Sequence, residues 1–521
     1  MVASGELRSV PLRDGMDRFR QGLTGPLSVP LDESQRRLVD VVTKGGGAYL
    51  IKGAAGTGKS TVLLHAIKSL RRDGVPPKSI LYATYTKALV TTVEAAMKRD
   101  PFLNSKTITK KSVDAVAWKV AGMATHSSEI VVRDGDNRLV KPLTEAMEGV
   151  RASLNPALRA AFGRLVDKKL SRQYLIEEIE RTIIAQDLRK PSEYASLVRQ
   201  GRITRLTEDE RAFIWQIHLR FVGRLRDANL TTWSRLRQKA LRRVEEGKYP
   251  ERFDAVFIDE AQDLEPTAMR LLVELCRKPE GGNRKIVLSA DANQTIYGNG
   301  YSWVSIHPDL RLTGRSHSLT TNHRCTRQIV LAAESYLQGA ELEDERVAEH
   351  HIYTGPLPLV WPVTSEKNEV TEIEHFFRTA GKQLNLTFDQ CAVLVPTRNR
   401  GKEIASALCL RGVNAQFMIR SEVDLTFPGV KVLTRHTAKG LEFPVVAVAL
   451  FEQLKQPGTG PEELSERLLL ERRVNHMAMT RAMQMLMVTV PASPAEGRFV
   501  GLTAPLWLQG GKNMRQNPNR K

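Results

Sequence analysis

Cysteine is scarce in this sequence, with four residues in a chain of 521. Cys276, Cys325, Cys391 and Cys409 form no closely spaced pair, which excludes a disulfide framework or a zinc knuckle and predicts reduced thiols in a core. No run approaches the ~18 uninterrupted apolar residues that a membrane helix needs. Residues 1–30 carry too many charges for a signal peptide. We therefore expect a cytoplasmic protein without a membrane partner.

Acidic residues are fewer than basic residues in this sequence. The chain has 58 Asp and Glu against 77 Lys and Arg, a formal net charge of +19, and polyanions are the natural partners of such a protein. A membrane surface would require a basic amphipathic anchor beside a lipidation signal, and the sequence has no such signal. A generally basic protein without a polyanionic partner remains an alternative on charge alone. The hydrophobic content of 41% is that of a folded globular chain, and the length suggests about three domains.

Strand-like and helical patterns alternate along much of the chain, which predicts parallel sheets. The strand-like runs in the first part are 48–51, 79–84, 255–258 and 285–289, and the helical runs between them are 62–70 and 87–97. Between 112 and 250 the pattern changes to long charged helices, so we expect a helical insertion there. After a basic, turn-prone join at 311–318, further alternation predicts a second α/β body.

The second half of the predicted insertion is rich in arginine and contains Trp215 and Trp233. Its arginines are Arg199, Arg202, Arg205, Arg211, Arg220, Arg224, Arg226, Arg235, Arg237, Arg242 and Arg243. Such a stretch suits a strand of nucleic acid, through phosphate contacts and base stacking. The alternative is a solvated helix face with two tryptophans in the core.

A phosphate-binding loop is the strongest local signal. Residues 53–60 read GAAGTGKS, which fits the pattern G-x4-G-K-[ST], and they stand between a predicted strand and a predicted helix. In this pattern the backbone wraps around phosphates, Lys59 reaches the outer phosphates and Ser60 holds Mg²⁺. The sequence therefore predicts a binding site for ATP or GTP, formed by Gly53, Ala54, Ala55, Gly56, Thr57, Gly58, Lys59, Ser60 and Thr61.

A second predicted buried strand, at 255–258, is followed by two acidic residues. In parallel sheets, ligands bind at this carboxyl end of the strands. Asp259 can hold Mg²⁺ beside Ser60, and Glu260 can orient and deprotonate the water that attacks the γ-phosphate. An acidic cluster after a strand is often a capped helix start. Its pairing with the P-loop favours the catalytic interpretation.

In these motifs the chain resembles the superfamily 1 DNA helicases of the UvrD/Rep type. The resemblance covers residues 31–488 and includes seven motifs in the family's order. They lie at 31–35 (Q motif), 80–89 (motif Ia), 259–263 (DEAQD), 291–297 (motif III), 322–324 (motif IV), 434–443 (motif V) and 478–482 (motif VI).

This resemblance implies a role for particular residues. Those expected to act on the nucleotide are Gln35 at the adenine edge, Gln294 as a γ-phosphate sensor, Arg324 on the phosphates, His323 in the adenine stack, Gly440 and Glu442 in motif V, and Arg481 as an arginine finger. Those expected to contact DNA are Thr84, Thr86 and Lys87 of motif Ia, Tyr297 of motif III and His436 of motif V. The cofactors implied are ATP and Mg²⁺.

The sequence departs from the family pattern at several positions. Ala290 stands where motif III usually has glycine, and the usual continuation of that motif is replaced, so that Tyr301 or Trp303 could take over the stacking on DNA. His323 stands where motif IV commonly has tyrosine. The connection 420–429 is too short to form a core of its own, so we expect the family's mobile 2B subdomain to be absent.

The implied fold class is α/β, with two RecA-like P-loop NTPase domains built on parallel sheets and a mostly helical insertion in the first. The predicted domains are an N-terminal arm (1–30), domain 1A (31–111 with 251–310), the insertion 1B (112–250), domain 2A (311–505) and a basic tail (506–521).

The leading hypothesis is an ATP-dependent DNA helicase or single-strand translocase of 3′ to 5′ polarity, as the resemblance implies, with single-stranded DNA and tailed duplexes as partners. One alternative is a DNA-binding ATPase subunit of a repair, plasmid or phage-defence complex that unwinds little alone and relies on a protein partner. Another is an RNA substrate, which no residue in the sequence excludes.

Overall fold

The computed structural model describes residues 30–98, 100–104, 106–123, 129–199, 202–291, 302–337, 350–419, 423–452, 460–493 and 499–510. The predicted arm lies outside these ranges except for Pro30, and the predicted tail is described only as far as Gly510.

The strands in chain order are β1 (Ala48–Gly53), β2 (Ile80–Thr84), β3 (Thr109–Ser112), β4 (Ile130–Val132), β5 (Leu230–Thr232), β6 (Ala255–Asp259), β7 (Lys285–Ala290), β8 (Ser316–Leu319), β9 (Thr321–Thr326), β10 (His350–Tyr353), β11 (Leu359–Val363), β12 (Cys391–Val395), β13 (Ala415–Met418), β14 (Val430–Thr434), β15 (Phe443–Ala449), β16 (Ala482–Pro491) and β17 (Leu508–Gln509).

The α-helices in chain order are α1 (Glu33–Lys44), α2 (Lys59–Arg72), α3 (Lys87–Met97), α4 (Val113–Val120), α5 (Val140–Ser153), α6 (Pro156–Gly163), α7 (Arg172–Glu177), α8 (Pro191–Ser196), α9 (Glu208–Asp227), α10 (Trp233–Glu245), α11 (Pro266–Glu274), α12 (Trp303–Ile306), α13 (Arg327–Leu337), α14 (Glu366–Leu384), α15 (Arg398–Leu410) and α16 (Pro461–Met479).

The first lobe is built on a parallel sheet of six strands in the order β3-β2-β6-β7-β1-β8. Alternate residues of these strands pack into two cores, one on each face: Leu50, Leu81 and Ile258 on one side, Ile51 and Tyr82 on the other. Both faces are covered by helices, which explains why the strands are nearly continuous apolar runs. The sequence places the end of this lobe at residue 310, whereas the structure carries its sheet on to Leu319, because β8 pairs with β1.

The second lobe is built on a seven-stranded parallel sheet in the order β13-β14-β12-β15-β16-β11-β17. It also has a core on each face. Two parallel P-loop-type sheets with helices on both sides confirm the predicted fold class. Strands β13 and β14 are neighbours in the sheet, and the connection from Met418 to Val430 joins them directly.

The helical insertion has a core of its own, formed by residues between Val132 and Leu230. The predicted limits of 112 and 250 are wider than this core, since α4 and α10 pack against the first sheet. Two segments of the insertion, Arg164–Lys169 and Glu178–Ile184, are π-helical.

Helix α16 of the second lobe docks its N-terminal end on the insertion. The Glu466 carboxylate accepts hydrogen bonds from the Arg202 guanidinium (2.6 Å) and from the backbone N–H groups of Ile203 (3.0 Å) and Thr204 (3.2 Å). Glu463 accepts from the backbone N–H (2.9 Å) and the hydroxyl (2.7 Å) of Ser171. The second lobe is thus held to the insertion by carboxylates whose hydrogen bonds are satisfied.

Among the helices that the structure describes, none is both long and apolar enough to cross a membrane.

Candidate nucleotide site between the two lobes

The P-loop joins β1 to α2, so that the free N–H groups of the first helical turn face the loop. Gly56 and Gly58 have φ of +85° and +84°, in the left-handed region that glycine adopts without strain. A Cβ on Gly56 would also lie 2.8 Å from the Cβ of Arg324, so the approach of the second lobe requires glycine there. All nine residues predicted from Gly53 to Thr61 lie at the end of β1, in this loop or in the first turn of α2.

The Lys59 ammonium is held inside the loop. Its side chain is 7% exposed, and Nζ donates to the carbonyl oxygens of Gly53 (2.7 Å) and Ala54 (3.1 Å). The same nitrogen lies 3.7 Å from Oδ2 of Asp291, at the end of β7. A cation in this position is placed to meet the outer phosphates of a nucleotide.

The Asp259 carboxylate at the end of β6 is surrounded by hydroxyl donors. Ser60 Oγ donates to Oδ2 at 2.7 Å, Tyr82 OH donates to the same oxygen at 2.5 Å, and Ser289 donates to Oδ1. Burial and the neighbouring Glu260 raise the pKa of Asp259, and these three hydrogen bonds act against that rise. The predicted pair Ser60 and Asp259 is therefore in direct contact.

Glu260 follows directly and has a left-handed backbone conformation, with φ of 54°. Burial acts to raise the pKa of Glu260, but Lys59 and Lys439 outweigh burial, so the pKa lies below its ordinary value. Gln262 Nε2 donates to Oε2 of Glu260 at 2.6 Å and fixes its orientation. Glu260 is thus an ionised, oriented carboxylate, as a general base requires.

Strand β9 brings the second lobe onto the P-loop. Asn322 Nδ2 donates to the Ala55 carbonyl at 3.2 Å, and the backbone N–H of His323 donates to the Gly56 carbonyl at 2.9 Å. Oδ1 of Asn322 also accepts from the backbone N–H of Arg324 at 2.8 Å. This strand therefore fixes the position of Arg324 relative to the loop.

Two arginines lie side by side at the boundary between the lobes. Arg324 Nη1 pairs with Oε1 of Glu442 at 2.5 Å, and Nη2 donates to the Thr480 carbonyl at 3.1 Å. Arg481 is 2% exposed, and burial together with Arg324 lowers its pKa, while Glu442 and Glu260 act in the opposite direction. Two neighbouring guanidinium groups concentrate positive potential close to the P-loop.

A buried ion pair also crosses from lobe to lobe. Lys439 Nζ contacts Oδ1 of Asp263, and both side chains are almost fully enclosed. Burial raises the pKa of Asp263 to about 7, although Lys439 acts to lower it. Next to this pair, Gly440 has φ of +78° and faces the side chain of Leu89, which would collide with a Cβ at 2.4 Å.

Gln35 is engaged by the protein. Its Oε1 accepts from the backbone N–H of Asp32 (3.1 Å), which completes a capping box on α1, and its Nε2 donates to the Thr57 carbonyl (3.1 Å). Nε2 of His323 lies 2.8 Å from Oδ2 of Asp32. These contacts bring the Q motif and motif IV to one side of the P-loop, and recognition of adenine there remains a prediction.

Sequence models of two domains match this chain: the UvrD/REP helicase N-terminal domain at residues 31–302 and the UvrD-like helicase C-terminal domain at residues 418–493. The chain belongs to the UvrD/Rep helicase family. This membership confirms the resemblance found in the sequence, and it makes the protein a DNA helicase.

Individual relatives are distant. DNA helicase IV of Escherichia coli K12 is 21% identical over 90% of this chain and 69% of its own length. A probable DNA helicase of Mycoplasma pneumoniae M129 is 27% identical over 44% of this chain and 42% of its own length. The C-terminal domain of a possible DNA helicase from Lactobacillus plantarum WCFS1 aligns with 36% of this chain and 98% of its own at 20% identity, with a TM-score of 0.27, too low to define the fold.

Among the DNA contacts expected for a UvrD/Rep helicase, two need correction. The Thr84 side chain is fully buried and Thr86 is 3% exposed, because Thr86 caps α3 by accepting from the backbone N–H of Leu89 (3.1 Å). In this structure neither side chain is accessible to a DNA strand, and the Thr86 side chain holds the motif Ia turn. Lys87 and His436 are exposed, and Trp303 is half-buried against the core of the first lobe. Gln294, Tyr297 and Tyr301 lie outside the described residues.

Two arginines and both tryptophans of the arginine-rich stretch need a similar correction. Arg199 and Arg237 are paired inside the protein, with Glu178 (2.7 Å) and with Asp114 and Glu265 (both 2.6 Å) respectively. The two tryptophans belong to cores, since Trp215 is 7% exposed and Trp233 packs against Trp118. The ion-pair partners are far apart in the chain, with more than 100 residues between Asp114 and Arg237. The sequence alone therefore does not reveal that these arginines are paired.

Several site residues went unnoticed in the sequence. Tyr82, Ser289 and Asn322 hold the catalytic groups, and the Asp263–Lys439 pair joins the lobes. Asn322, Asp263 and Lys439 stand inside recognised motifs, so their motif membership is a usable signal. Tyr82 lies within motif Ia, but a tyrosine in a buried strand resembles an ordinary core residue, so the motif does not reveal its contact with Asp259. Ser289 lies in none of the recognised motifs.

Proposed function

We propose that this helicase is an ATP- and Mg²⁺-dependent motor that moves 3′ to 5′ along single-stranded DNA and separates duplexes that carry a 3′ tail. The observation that carries the proposal is the meeting of two lobes at one P-loop: Lys59, Asp259 and Glu260 come from the first lobe, and Arg324 and Arg481 from the second. Hydrolysis at such a boundary can change the relative position of the lobes.

In the proposed reaction Glu260 accepts a proton from the attacking water, and Lys59 neutralises charge on the outer phosphates. Arg324 and Arg481 stabilise the negative charge that develops on the γ-phosphoryl oxygens in the transition state. Glu442 keeps the Arg324 guanidinium at the boundary before the nucleotide arrives. Both arginines must be released from their protein partners to reach the phosphate, which links nucleotide binding to a rearrangement between the lobes.

The residues around Ser60 fit a magnesium ion. A hydroxyl and a carboxylate oxygen 2.7 Å apart are oxygen ligands of the kind that Mg²⁺ prefers. Within the described part of the chain no group of three or more acidic, histidine or cysteine side chains forms a complete metal cage. A magnesium ion at Ser60 and Asp259 would take its remaining ligands from nucleotide phosphates and water. Bound Mg²⁺ would supply charge neutralisation on the β- and γ-phosphate oxygens.

Coupling between hydrolysis and movement would run through the contacts that cross from lobe to lobe. Four of them surround the site: Asn322 with Ala55, His323 with Gly56, Lys439 with Asp263 and Gly440 with Leu89. Leu89 belongs to α3, which begins at the exposed Lys87. A shift of motif V would therefore be transmitted to the motif Ia turn, which is one of the proposed grips on DNA.

Polarity is tested by displacement of streptavidin from biotinylated single strands. We expect ATP-dependent release from the 5′ end, toward which a 3′ to 5′ motor moves, and no acceleration of release from the 3′ end. Glu260→Gln is the control, because it should bind ATP and DNA without turnover. Release from the 3′ end would contradict the proposed polarity.

The alternative function is a DNA-binding ATPase subunit with little unwinding of its own. It is favoured by the direct connection between β13 and β14, which leaves only residues 419–429 between them. Purified protein that hydrolyses ATP on single strands but separates no tailed duplex would support this alternative. An RNA substrate is tested in the same assay by replacing the DNA tail with RNA.

A further inference from the structure

The insertion contains a cleft of about 650 Å³ whose lining residues lie outside every helicase motif. It lies between α9 and α10, and it is lined by four arginines, Arg189, Arg226, Arg235 and Arg242, together with Trp215 and His218. The first and last of these arginines are neutralised by Asp187, whose oxygens lie 2.7 Å from Arg189 Nη2 and 3.0 Å from Arg242 Nη2. The other two have a different environment.

Arg226 and Arg235 form no hydrogen bond or ion pair through their guanidinium groups within the described part of the chain. Arg235 is largely enclosed, and burial lowers its pKa; Glu180 and Glu129 act to raise this pKa, while Arg226 and Arg242 lower it further. The nearby carboxyl of Glu180 gives it little compensation, because burial raises the pKa of Glu180 to about 8 and leaves it mostly protonated at neutral pH. An enclosed guanidinium without a partner is costly for a folded protein.

The carboxylates at the rim of the cleft are already engaged. Glu245 pairs with Arg270 at 3.0 Å, and Glu246 pairs with Lys248 at 2.6 Å. The cleft therefore presents excess positive charge at Arg226 and Arg235. It also presents His218, whose Nδ1 is buried without a hydrogen-bond partner and whose ring lies 5.4 Å from that of Trp215.

We propose that this cleft is a second phosphate site, distinct from the P-loop, that binds one nucleotide unit: Arg226 and Arg235 hold the phosphate, and His218 donates or accepts a hydrogen bond at the sugar or base. The volume exceeds the need of an inorganic anion and suits a nucleotide. The unit belongs either to a nucleic-acid strand or to a free nucleotide. If the unit belongs to a nucleic-acid strand, the inference rests on the proposed function; if it is a free nucleotide, the inference does not.

The test compares Arg235→Met and Arg226→Gln with the matched control Arg224→Gln. Arg224 stands on the same helix α9, is exposed, pairs with Glu145 and Asp227, and is absent from the cleft lining. Binding of a labelled oligodeoxythymidylate is measured at several salt concentrations, and binding of dTMP is measured by calorimetry with the P-loop saturated by a non-hydrolysable ATP analogue.

If the ligand is a strand, each cleft variant should weaken oligonucleotide binding about tenfold and reduce the salt slope by about 0.7, the value for one phosphate contact. If the ligand is a free nucleotide, dTMP binding alone should be lost. Arg235→Met should melt at or above the temperature of the parent, because it removes an enclosed charge that has no partner. Oligonucleotide and dTMP binding equal to those of Arg224→Gln would overturn the proposal.

The two proposals fail separately. A parent protein whose ATP hydrolysis does not respond to single-stranded DNA would contradict the proposed function, whatever the cleft binds. A parent that translocates normally while both cleft variants bind both probes like the control would contradict only the cleft site.

Discussion

Tyr82 gives the sharpest test of how the catalytic carboxylate is held. Its hydroxyl donates to Oδ2 of Asp259 at 2.5 Å from a fully buried position, and it shares that oxygen with Ser60. Tyr82→Phe removes this donor and leaves the ring in the core, so the packing of the first lobe is retained. Hydrogen bonds to charged groups contribute about 1.5–3 kcal/mol. Because Ser60 and Ser289 still donate to the carboxylate, we expect the lower end of that range.

A loss of about 1.5 kcal/mol corresponds to about tenfold in binding. We therefore expect Tyr82→Phe to require about ten times more Mg²⁺ for half-maximal ATP hydrolysis at saturating ATP and single-stranded DNA. The Tyr82 hydrogen bond lowers the pKa of Asp259, so its removal should raise that pKa further. Protons then compete with the metal, and the acidic limb of the pH–rate profile should move to higher pH.

Tyr194→Phe is the matched control. Tyr194 is also a buried tyrosine whose hydroxyl donates to a carboxylate, that of Glu178 at 2.8 Å, but it lies in the insertion. It should lower the melting temperature without changing the Mg²⁺ requirement or the pH–rate profile. A Tyr82→Phe protein with the parental Mg²⁺ requirement and parental acidic limb would refute the role assigned to this hydrogen bond.

Three further predictions concern other parts of the molecule. Arg481→Ala should lower kcat by a factor on the order of 10³, while nucleotide affinity changes little. Steady-state hydrolysis measures kcat, and nucleotide titration measures the affinity. A parental kcat would show that the role of Arg481 is structural. Burial raises the pKa of Glu180 to about 8, so the folded state keeps a proton that the unfolded chain releases, and stability should fall as the pH rises from the ordinary carboxyl range to about 8. Glu180→Gln should flatten that dependence and stabilise the protein near pH 8 by on the order of 2 kcal/mol, as denaturant unfolding across pH would show; an unchanged pH dependence would contradict it. Glu466→Ala should destabilise by about 3 kcal/mol, because it leaves the buried Arg202 without this partner, whereas the exposed neighbour Glu462→Ala should cost less than about 1 kcal/mol; equal effects in thermal unfolding would contradict the docking role of Glu466.

The P-loop and the acids after β6 could be predicted from the sequence because each is a contiguous motif with a fixed local geometry. Lys59 follows the buried strand β1 and begins a helix, and Asp259 ends β6, which is separated from β1 by β7 alone in the same parallel sheet. The carboxyl ends of parallel strands lie at one edge of a sheet, so both residues are expected at the same edge. The order of the remaining motifs predicts two lobes, and two parallel sheets are present. These features depend on residues close together in the chain.

Other features depend on partners far apart in the chain. The sequence ends the first lobe at 310, because nothing local shows that β8 pairs with β1 more than 260 residues earlier. The position of Thr84 and Thr86 in motif Ia suggests contacts with a DNA strand, but both side chains are buried in the structure. Arg237 resembles a free cation, yet its partners Asp114 and Glu265 come from two other segments. Long-range pairing of this kind cannot be read from local pattern.

The most direct measurement of the central claim is ATP-dependent strand separation by the parent protein on three duplexes, with a 3′ tail, a 5′ tail or blunt ends. Lys59→Ala is measured in parallel, because its loss leaves the outer phosphates without the loop's cation. The two-lobe motor predicts separation of the 3′-tailed duplex in preference to the other two, and none by Lys59→Ala. Preference for the 5′ tail, or separation that survives in Lys59→Ala, would contradict the account.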